Sequence, residues 1–437
     1  MDSDKIRDAI ITFLFLFVVM ALTVVVSFLG HRDVDVGYAE NILLKRIPIM
    51  EIVLSDVDLA TVKKDKTIRF SGNEMIFFSD GIIKKYSDLE LKGHGNSTWQ
   101  GDKRPFQIKF AKKTELFGGV SARKWILVAN DFDASQLRNS VAFYLGRMIN
   151  VQYMKGGGFA ELIINDEYQG LYYAAPKVEI GKDSVDIRSD YGILMELDNL
   201  YGYENNCYYS GEKMCFIVSD AVNSDNETIA AKDFVESFDE LERATKLGDY
   251  ESVREIIDID SFVRYYILNE FVVNPDAYVS SWYMYRDGPD DKIHVGPGWD
   301  YDFAFGNRNW IWNTADNFYS PELDMVREFD AMGGSFYLDG ELIEKKPDYS
   351  ISRVVIRLMK MPEFKEEVRR IYNETLRGHK AELVDFIHRQ AKAIKSAVLR
   401  NNKKWGEEDF EAEVNYLLDW VERRYDHFES VYGDDKN

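Results

Sequence analysis

The stretch GWDYDFAFGN, residues 298–307, sets two carboxylates one residue apart between a glycine and a run of aromatics. In an extended segment Asp300 and Asp302 share one face, because strand side chains alternate with a period of two. Carboxylate oxygens on one face suit a hard divalent cation, Mg2+ or Mn2+. An Asp-x-Asp is also what a polar strand end or a capped turn looks like, so the flanking elements decide. Trp299, Phe303 and Phe305 are expected to pack behind the pair and hold it rigid.

The preceding elements favour the cation. DSFVRYYILNEFVVN, residues 260–274, reads as an apolar, buried helix that Pro275 stops, leaving Asp276 in a loop. SWYMYRD follows as a strand, GPDD as a turn and KIHVGP as a second strand that delivers the acidic pair. An acidic loop after a helix, then a hairpin, then a metal-type acidic motif is the order of parts that protein kinases use. Phosphoryl transfer needs cations to neutralise the phosphates and a group to orient the nucleophile, which would give the acidic pair its purpose.

Upstream, LKGHGNSTWQGDKRPFQIKF places Gly93, Gly95, Asn96 and Ser97 in a polar turn between two strand-like runs. Such a turn can bring backbone N–H groups to phosphate oxygens, although it is equally the turn of an ordinary hairpin. Phe106, Ile108 and Phe110 alternate onto one face, leaving Gln107 and Lys109 on the other. Lys109 is then either a phosphate-facing charge or a solvated strand lysine. KWILVAN is a further strand, and DASQLRNSVAFYLGRMI a helix capped by Asp133 or Ser135, with Arg138 and Asn139 in its early turns. FAELIINDEYQGLYYAAPKV reads as a hairpin turning at Asn165, Asp166 and Glu167. YGILMELD is a strand with Glu196 and Asp198 on one face, either a nucleotide-contacting edge or a solvated one.

Composition bounds the rest. The 437-residue chain is 46% apolar with 27 Phe, 26 Tyr and 8 Trp, as a packed globular protein is. Its formal charge of −21 argues against broad contact with nucleic acid and makes any local cationic pocket conspicuous. Residues 9–29 are uncharged and long enough to cross a bilayer, so an uncleaved anchor and a single-pass cell-membrane location are expected. Lys5 and Arg7 before it and His31 and Arg32 after it do not assign a side. The expected organisation is a leader and anchor (1–32), a linker (33–47), a β-rich nucleotide-binding lobe (48–225) and a helical lobe (226–437). Cys207 and Cys215 can pair across a loop or remain thiols. Oligomeric state leaves no mark.

Six motifs in order, KGHGNSTW, KRPFQIKF, KWILVANDFDASQLRNSVAFYLGRM, ELIINDEYQGLYYAAPKVEI, NEFVVNPDAYVSSWYMYRD and GPGWDYDFAFGN, resemble the CotH kinase family over roughly residues 48–310. The resemblance implies an α+β, two-lobed, atypical protein-kinase-like fold, here with an N-terminal transmembrane helix, using ATP and Mg2+ or Mn2+ to phosphorylate a protein substrate. It implies that Asp300 or Asp302 binds metal, that Asp276 sits in the catalytic loop and that Lys109 meets the phosphates. Lys177 is a second candidate for the phosphates, and Glu179 for pairing with the lysine. The chain departs from ordinary kinases in lacking His-Arg-Asp and Gly-x-Gly-x-x-Gly, and in carrying Ser281 where a metal-binding Asn is usual. A non-catalytic, nucleotide-binding or scaffold protein of the cell envelope is the alternative. A carboxylate-pair glycosidase, whose acids stand about 5–10 Å apart, fits the adjacent Asp-x-Asp poorly.

Overall fold

Leu91, Ile108 and Leu127 alternate with Lys92, Gln107 and Ile126 along three adjoining strands, and the first set is fully buried. Seven strands repeat this inside–outside pattern: β1 (Ile49–Val53), β2 (Phe70–Ser79), β3 (Ile82–Gly93), β4 (Phe106–Phe117), β5 (Val120–Val128), β6 (Gly158–Ile164) and β7 (Glu167–Pro176). They form a closed barrel in the order β1-β2-β3-β4-β5-β7-β6, its interior filled by side chains such as Met75, Phe77, Leu89 and Trp125. The structure, a computed structural model, describes residues 47–117, 119–199, 206–307, 315–316, 335–338, 341–344, 351–406 and 408–433. Helix α1 (Leu59–Val62) lies between β1 and β2, and α2 (Arg138–Met148) between β5 and β6. The β6–β7 hairpin turns at Asn165 and Asp166, both at positive φ (48° and 64°), the backbone that a two-residue hairpin turn requires.

A second sheet, of order β12-β11-β8-β10-β9, is built from β8 (Ile193–Leu197), β9 (Tyr208–Tyr209), β10 (Cys215–Ala221), β11 (Trp282–Arg286) and β12 (His294–Val295). Its central strand β8 pairs antiparallel with β11, Glu196 opposite Tyr283, so the sheet draws strands from both sides of residue 225. Between β10 and β11 run α3 (Glu227–Leu247), α4 (Tyr250–Ile256) and α5 (Ile259–Val272). Asp249 and Asp258 cap α4 and α5 by accepting from the backbone N–H groups of Ser252 and Ser261. Helices α6 (Ser352–Leu358), α7 (Pro362–Thr375), α8 (Lys380–Trp405) and α9 (Phe410–Tyr432) complete the second core around α5. Helix α9 meets α5 through Phe271, whose ring lies 4.8 Å from Tyr425 and 5.2 Å from Phe428. Helix α8 grips the barrel, with Arg400 paired to Glu161 at 2.7 Å and Trp405 donating to the Gln169 carbonyl at 2.8 Å. Cys207 and Cys215 are joined as a disulfide.

This architecture corrects the expected two-lobed, protein-kinase-like α+β fold with a transmembrane helix. The β region is not an open nucleotide lobe but a barrel closed by parallel pairing of β1 with β6, Ile49 opposite Glu161. Alternation within each strand looks the same in an open sheet and a closed one, and a parallel closure between segments distant in sequence leaves no local mark. Among the described residues no helix is long and apolar enough to cross a membrane, so the expected single-pass membrane location is not supported by them. The expected anchor, residues 9–29, lies outside the described residues.

Candidate functional site

Helix α5 ends at Val272, and Val273 enters the left-handed region at φ 46° before Asn274 and Pro275 lead into a 3-10 turn, Asp276–Tyr278. The Asn274 side-chain amide donates to the Asp300 carbonyl at 2.8 Å, and Phe305 N–H donates to the Val272 carbonyl at 2.7 Å. These bonds stitch the loop carrying Asp276 to the loop carrying the acidic pair. The latter is a turn, not the extended segment that alternation suggests. Asp300 and Phe305 sit at φ 61° and 54°, backbone that non-glycine residues rarely adopt.

Helix α2 supplies the other support. Asn139 Oδ1 accepts from Tyr301 N–H at 3.0 Å, while its Nδ2 donates to Asp302 Oδ1 and, at 3.0 Å, to Asn130 Oδ1. Arg138, fully buried, pairs with Asp133 and donates from Nε to the Ala304 carbonyl at 3.2 Å. Asp133 accepts from Arg138 N–H at 2.8 Å, so the expected capping aspartate also anchors the arginine. Asn307 donates to the carbonyls of Phe132 and Asp302 at 2.8 and 2.6 Å. The aromatics pack around the loop: Phe303 stacks on Phe132 at 5.6 Å, Trp299 meets Phe143 at 5.7 Å and Phe305 meets Trp420 at 5.4 Å.

The two carboxylates open into a small cleft of about 50 Å3, continuous with solvent, that is lined as well by His94, Gly95 and Thr98 and by Ile126 and Val128 of the outer barrel face. Burial pushes the Asp300 carboxyl up, and pushes Asp302 well up, with the charges of Asp300, Asp133 and Asp276 adding to it. Burial and Asp198 raise Glu196 to about 8 against the opposing Tyr283 hydrogen bond and Lys177 charge. Burial lowers Lys177, as does Lys124, while Glu179, Asp220 and Glu196 pull it back. His94 falls to about 3 through burial and the charges of Lys92, Lys177 and Lys66. Lys103, buried with Nζ 3.3 Å from Gln136 Oε1, falls to about 7 through burial, opposed by Asp131, Glu408 and Asp302.

Of the residues singled out in the sequence, Gly95, Asp300 and Asp302 line the cleft, and Asp276, Glu196 and Lys177 lie within electrostatic range of it. Gly93 packs under Trp99, where a Cβ would stand 2.4 Å from the ring. Asn96 Oδ1 accepts from Lys66 Nζ at 2.7 Å, and Asn96 and Ser97 are exposed at the start of a 3-10 turn, Ser97–Gln100. Lys109 is on the outer barrel face but pairs with Glu90 at 2.7 Å and does not line the cleft. Glu179 pairs with Lys124 at 2.6 Å and not with Lys109. Sequence reasoning assigned no role to His94, Lys92, Asn139 or Asn274. Asn139 stands in the sequence between Arg138 and Ser140, polar neighbours that give it no distinguishing signal, and the others carry none either.

Among the described residues no group of three or more His, Cys, Asp or Glu side chains stands at metal-binding spacing. The donors at hand are instead two carboxylates and an amide. Asn274 Oδ1 is buried with no hydrogen-bond partner beside the Asp300 loop, and an orphaned oxygen next to two raised carboxylates fits a hard cation.

Taken with the comparisons that follow, this is a kinase-like protein. Residues 91–428 match the family described as CotH kinase protein, and because the match spans well over half of the chain, the chain belongs to that family. No curated protein matches it. A solved structure described as a Helicobacter pylori proinflammatory kinase CtkA is similar at 9% identity, with 80% of this chain and 91% of that chain covered and a TM-score of 0.22. At that TM-score the likeness carries no argument.

Proposed function

We propose that the protein transfers the γ-phosphoryl group of ATP to a hydroxyl group of a protein substrate with a divalent metal. The observation that carries this reading is the pair of raised carboxylates, Asp300 and Asp302, lining one cleft with the Gly95 turn, beside the orphaned oxygen of Asn274. Asp300, Asp302 and Asn274 would hold Mg2+ or Mn2+, which when bound supplies positive charge to the phosphates. Lys177, balanced by Glu196, meets the phosphates in preference to Lys109, and the Gly95 turn offers close backbone approach, its φ of 80° being easy for glycine. Asp276 orients the acceptor hydroxyl and takes its proton. The acceptor oxygen forms a bond to the γ-phosphorus as the bond to the bridging oxygen breaks, and ADP leaves with that oxygen's charge.

The test is transfer of label from γ-labelled ATP to a generic acceptor such as casein by the full chain with Mg2+ or Mn2+. Asp276→Ala, Asp300→Ala and Asp302→Ala run alongside. Metal-dependent transfer that is lost in Asp276→Ala and in at least one of the other two supports the reading. A folded protein that binds ATP and transfers nothing is instead a non-catalytic nucleotide-binding scaffold. Ser281 at the position of the usual metal-binding Asn favours that second reading.

A further inference from the structure

The turn that carries Asp276 is held in an uncommon backbone at both ends. Val273 precedes it at φ 46° and Ser281 follows it at φ 56°, left-handed positions that no glycine relieves. Such a backbone persists only where its surroundings fix it. Within the turn the Asp276 carbonyl accepts from Val279 N–H at 3.0 Å and from Ser280 N–H at 2.8 Å. On one side Asn274 ties the turn to the Asp300 carbonyl.

On the other side the ties come from Asp198 and Asn199, just past the end of β8. Asn199 N–H donates to the Val279 carbonyl at 2.9 Å, carrying the β8–β11 ladder beyond the pairing of Leu197 with Trp282. Ser280 Oγ donates to Asp198 Oδ1 at 3.1 Å, a contact between residues 82 positions apart in the sequence. Both supports are themselves anchored to β10: Asp198 N–H donates to the Cys215 carbonyl at 3.0 Å, and Asn199 Oδ1 accepts from Cys215 N–H at 2.7 Å. Cys215 is in turn bound to Cys207. The strained turn thus leans on a part of the sheet that is paired on both sides. Asp198 is buried, and a carboxylate away from water is costly unless hydrogen bonds hold it. A carboxylate is also a stronger acceptor for a hydroxyl than a neutral group is, which suits a side chain that must hold Ser280 in one place.

We propose that Asp198 is a positioning residue for phosphoryl transfer: bound to the Ser280 hydroxyl, it sets the turn so that the Asp276 carboxylate stands where it can orient the acceptor hydroxyl. The proposal rests on the role given to Asp276 above. Asp198 acts through Ser280 and exchanges no proton with the substrate.

The experiment measures kcat and KM for ATP in labelled transfer to casein by the full chain and by Asp198→Ala, Asp198→Asn, Ser280→Ala and the double variant of the two alanines. Amide hydrogen exchange of Val279 and Ser280 is read on each. A displaced turn predicts kcat roughly ten- to a hundred-fold lower in Asp198→Ala and in Ser280→Ala, with KM for ATP within about three-fold of the wild type. Asp198→Asn, which keeps an Oδ1 acceptor, retains most of kcat. The double variant is no slower than the worse single one, because the same bond is lost in all three. The Val279 and Ser280 amides exchange faster in both single variants. Unchanged kcat in Ser280→Ala, a KM that rises as much as kcat falls, or additive losses in the double variant overturn the positioning role. Ser280→Ala leaves the backbone bonds of Asp198 in place and decides the matter if Asp198→Ala does not fold. If the wild type transfers nothing and the two amides are still released in Ser280→Ala, the tie to the turn stands and only the transfer reading fails. Amides that stay protected overturn the tie as well.

Discussion

Asn274 reaches from the end of α5 to the carbonyl of Asp300 at 2.8 Å, so the turn carrying Asp276 and the loop carrying the acidic pair move as one piece. Its Oδ1 is buried and unpartnered, and under the proposed function it would join the two carboxylates in holding the metal. Asn274→Ala is expected to weaken Mn2+ binding by the full chain and to destabilise the fold by about 1–3 kcal/mol, the cost of losing one buried polar contact. Titration calorimetry and denaturant unfolding check the two effects; an unchanged Mn2+ affinity in a folded variant removes Asn274 from the donor set.

Asn139 touches Asp302 through one amide atom and the Tyr301 backbone through the other. Asn139→Leu keeps the volume of the buried site and removes both bonds. Loss of a partner that orients a metal-binding carboxylate lowers metal affinity or phosphoryl transfer by roughly 10–100-fold. The transfer assay with a metal titration tests this, and wild-type rates at all metal concentrations would sink it.

Arg424 on α9 donates to the carbonyls of Phe271 and Ala315 at 3.2 Å, and to that of Glu270, from a fully buried position. It closes the end of α5 immediately before the Asp276 turn. Arg424→Met leaves the buried Glu270 without its charge partner and is expected to cost about 3–5 kcal/mol. The readout is the denaturant midpoint of the full chain, with a loss below 1 kcal/mol counting against the clamp.

Asp258 caps α5 and faces His294, which lies between Asp258 and Asp291 at 3.7 and 3.5 Å. The His294 imidazole beside it and the Ser261 N–H hold the Asp258 carboxyl down at about 2, below its ordinary 3.8. Burial lowers His294, but Asp258 and Asp291 outweigh it and raise the imidazole above its ordinary 6.5. The Asp258 contribution is therefore present above pH 3.8 and lost as pH falls through about 2. The His294 contribution is complete below pH 6.5 and lost as pH rises through the raised value. Unfolding midpoints across pH should decline on the alkaline side of 6.5, and His294→Gln should flatten that decline.

Local elements were largely legible in the sequence. The alternation of Phe106, Ile108 and Phe110 gave β4 its buried face, and Pro275 ended α5 where a proline must. Closure of the barrel was not legible, because Ile49 and Glu161 pair across a hundred residues with no signature in either strand. The acidic loop was half legible: both carboxylates reach one cleft, yet Asp300 gets there through a left-handed backbone that alternation does not encode. Lys109 drew notice by its place after a glycine turn, while its carboxylate partner Glu90 is fixed by strand register alone.

Because β1 seals against β6, every strand of the seven-stranded barrel has a neighbour on both sides, but β3 and β4 share a ladder only over Glu90–Gly93 and Phe106–Lys109, and both strands run on beyond it. The second sheet ends in β12 and β9, each only two residues long, His294–Val295 and Tyr208–Tyr209. An extended peptide that adds to this fold by β-augmentation therefore meets its longest free backbone on the barrel along β3 and β4 beyond their shared ladder, away from the two-residue edges of the second sheet.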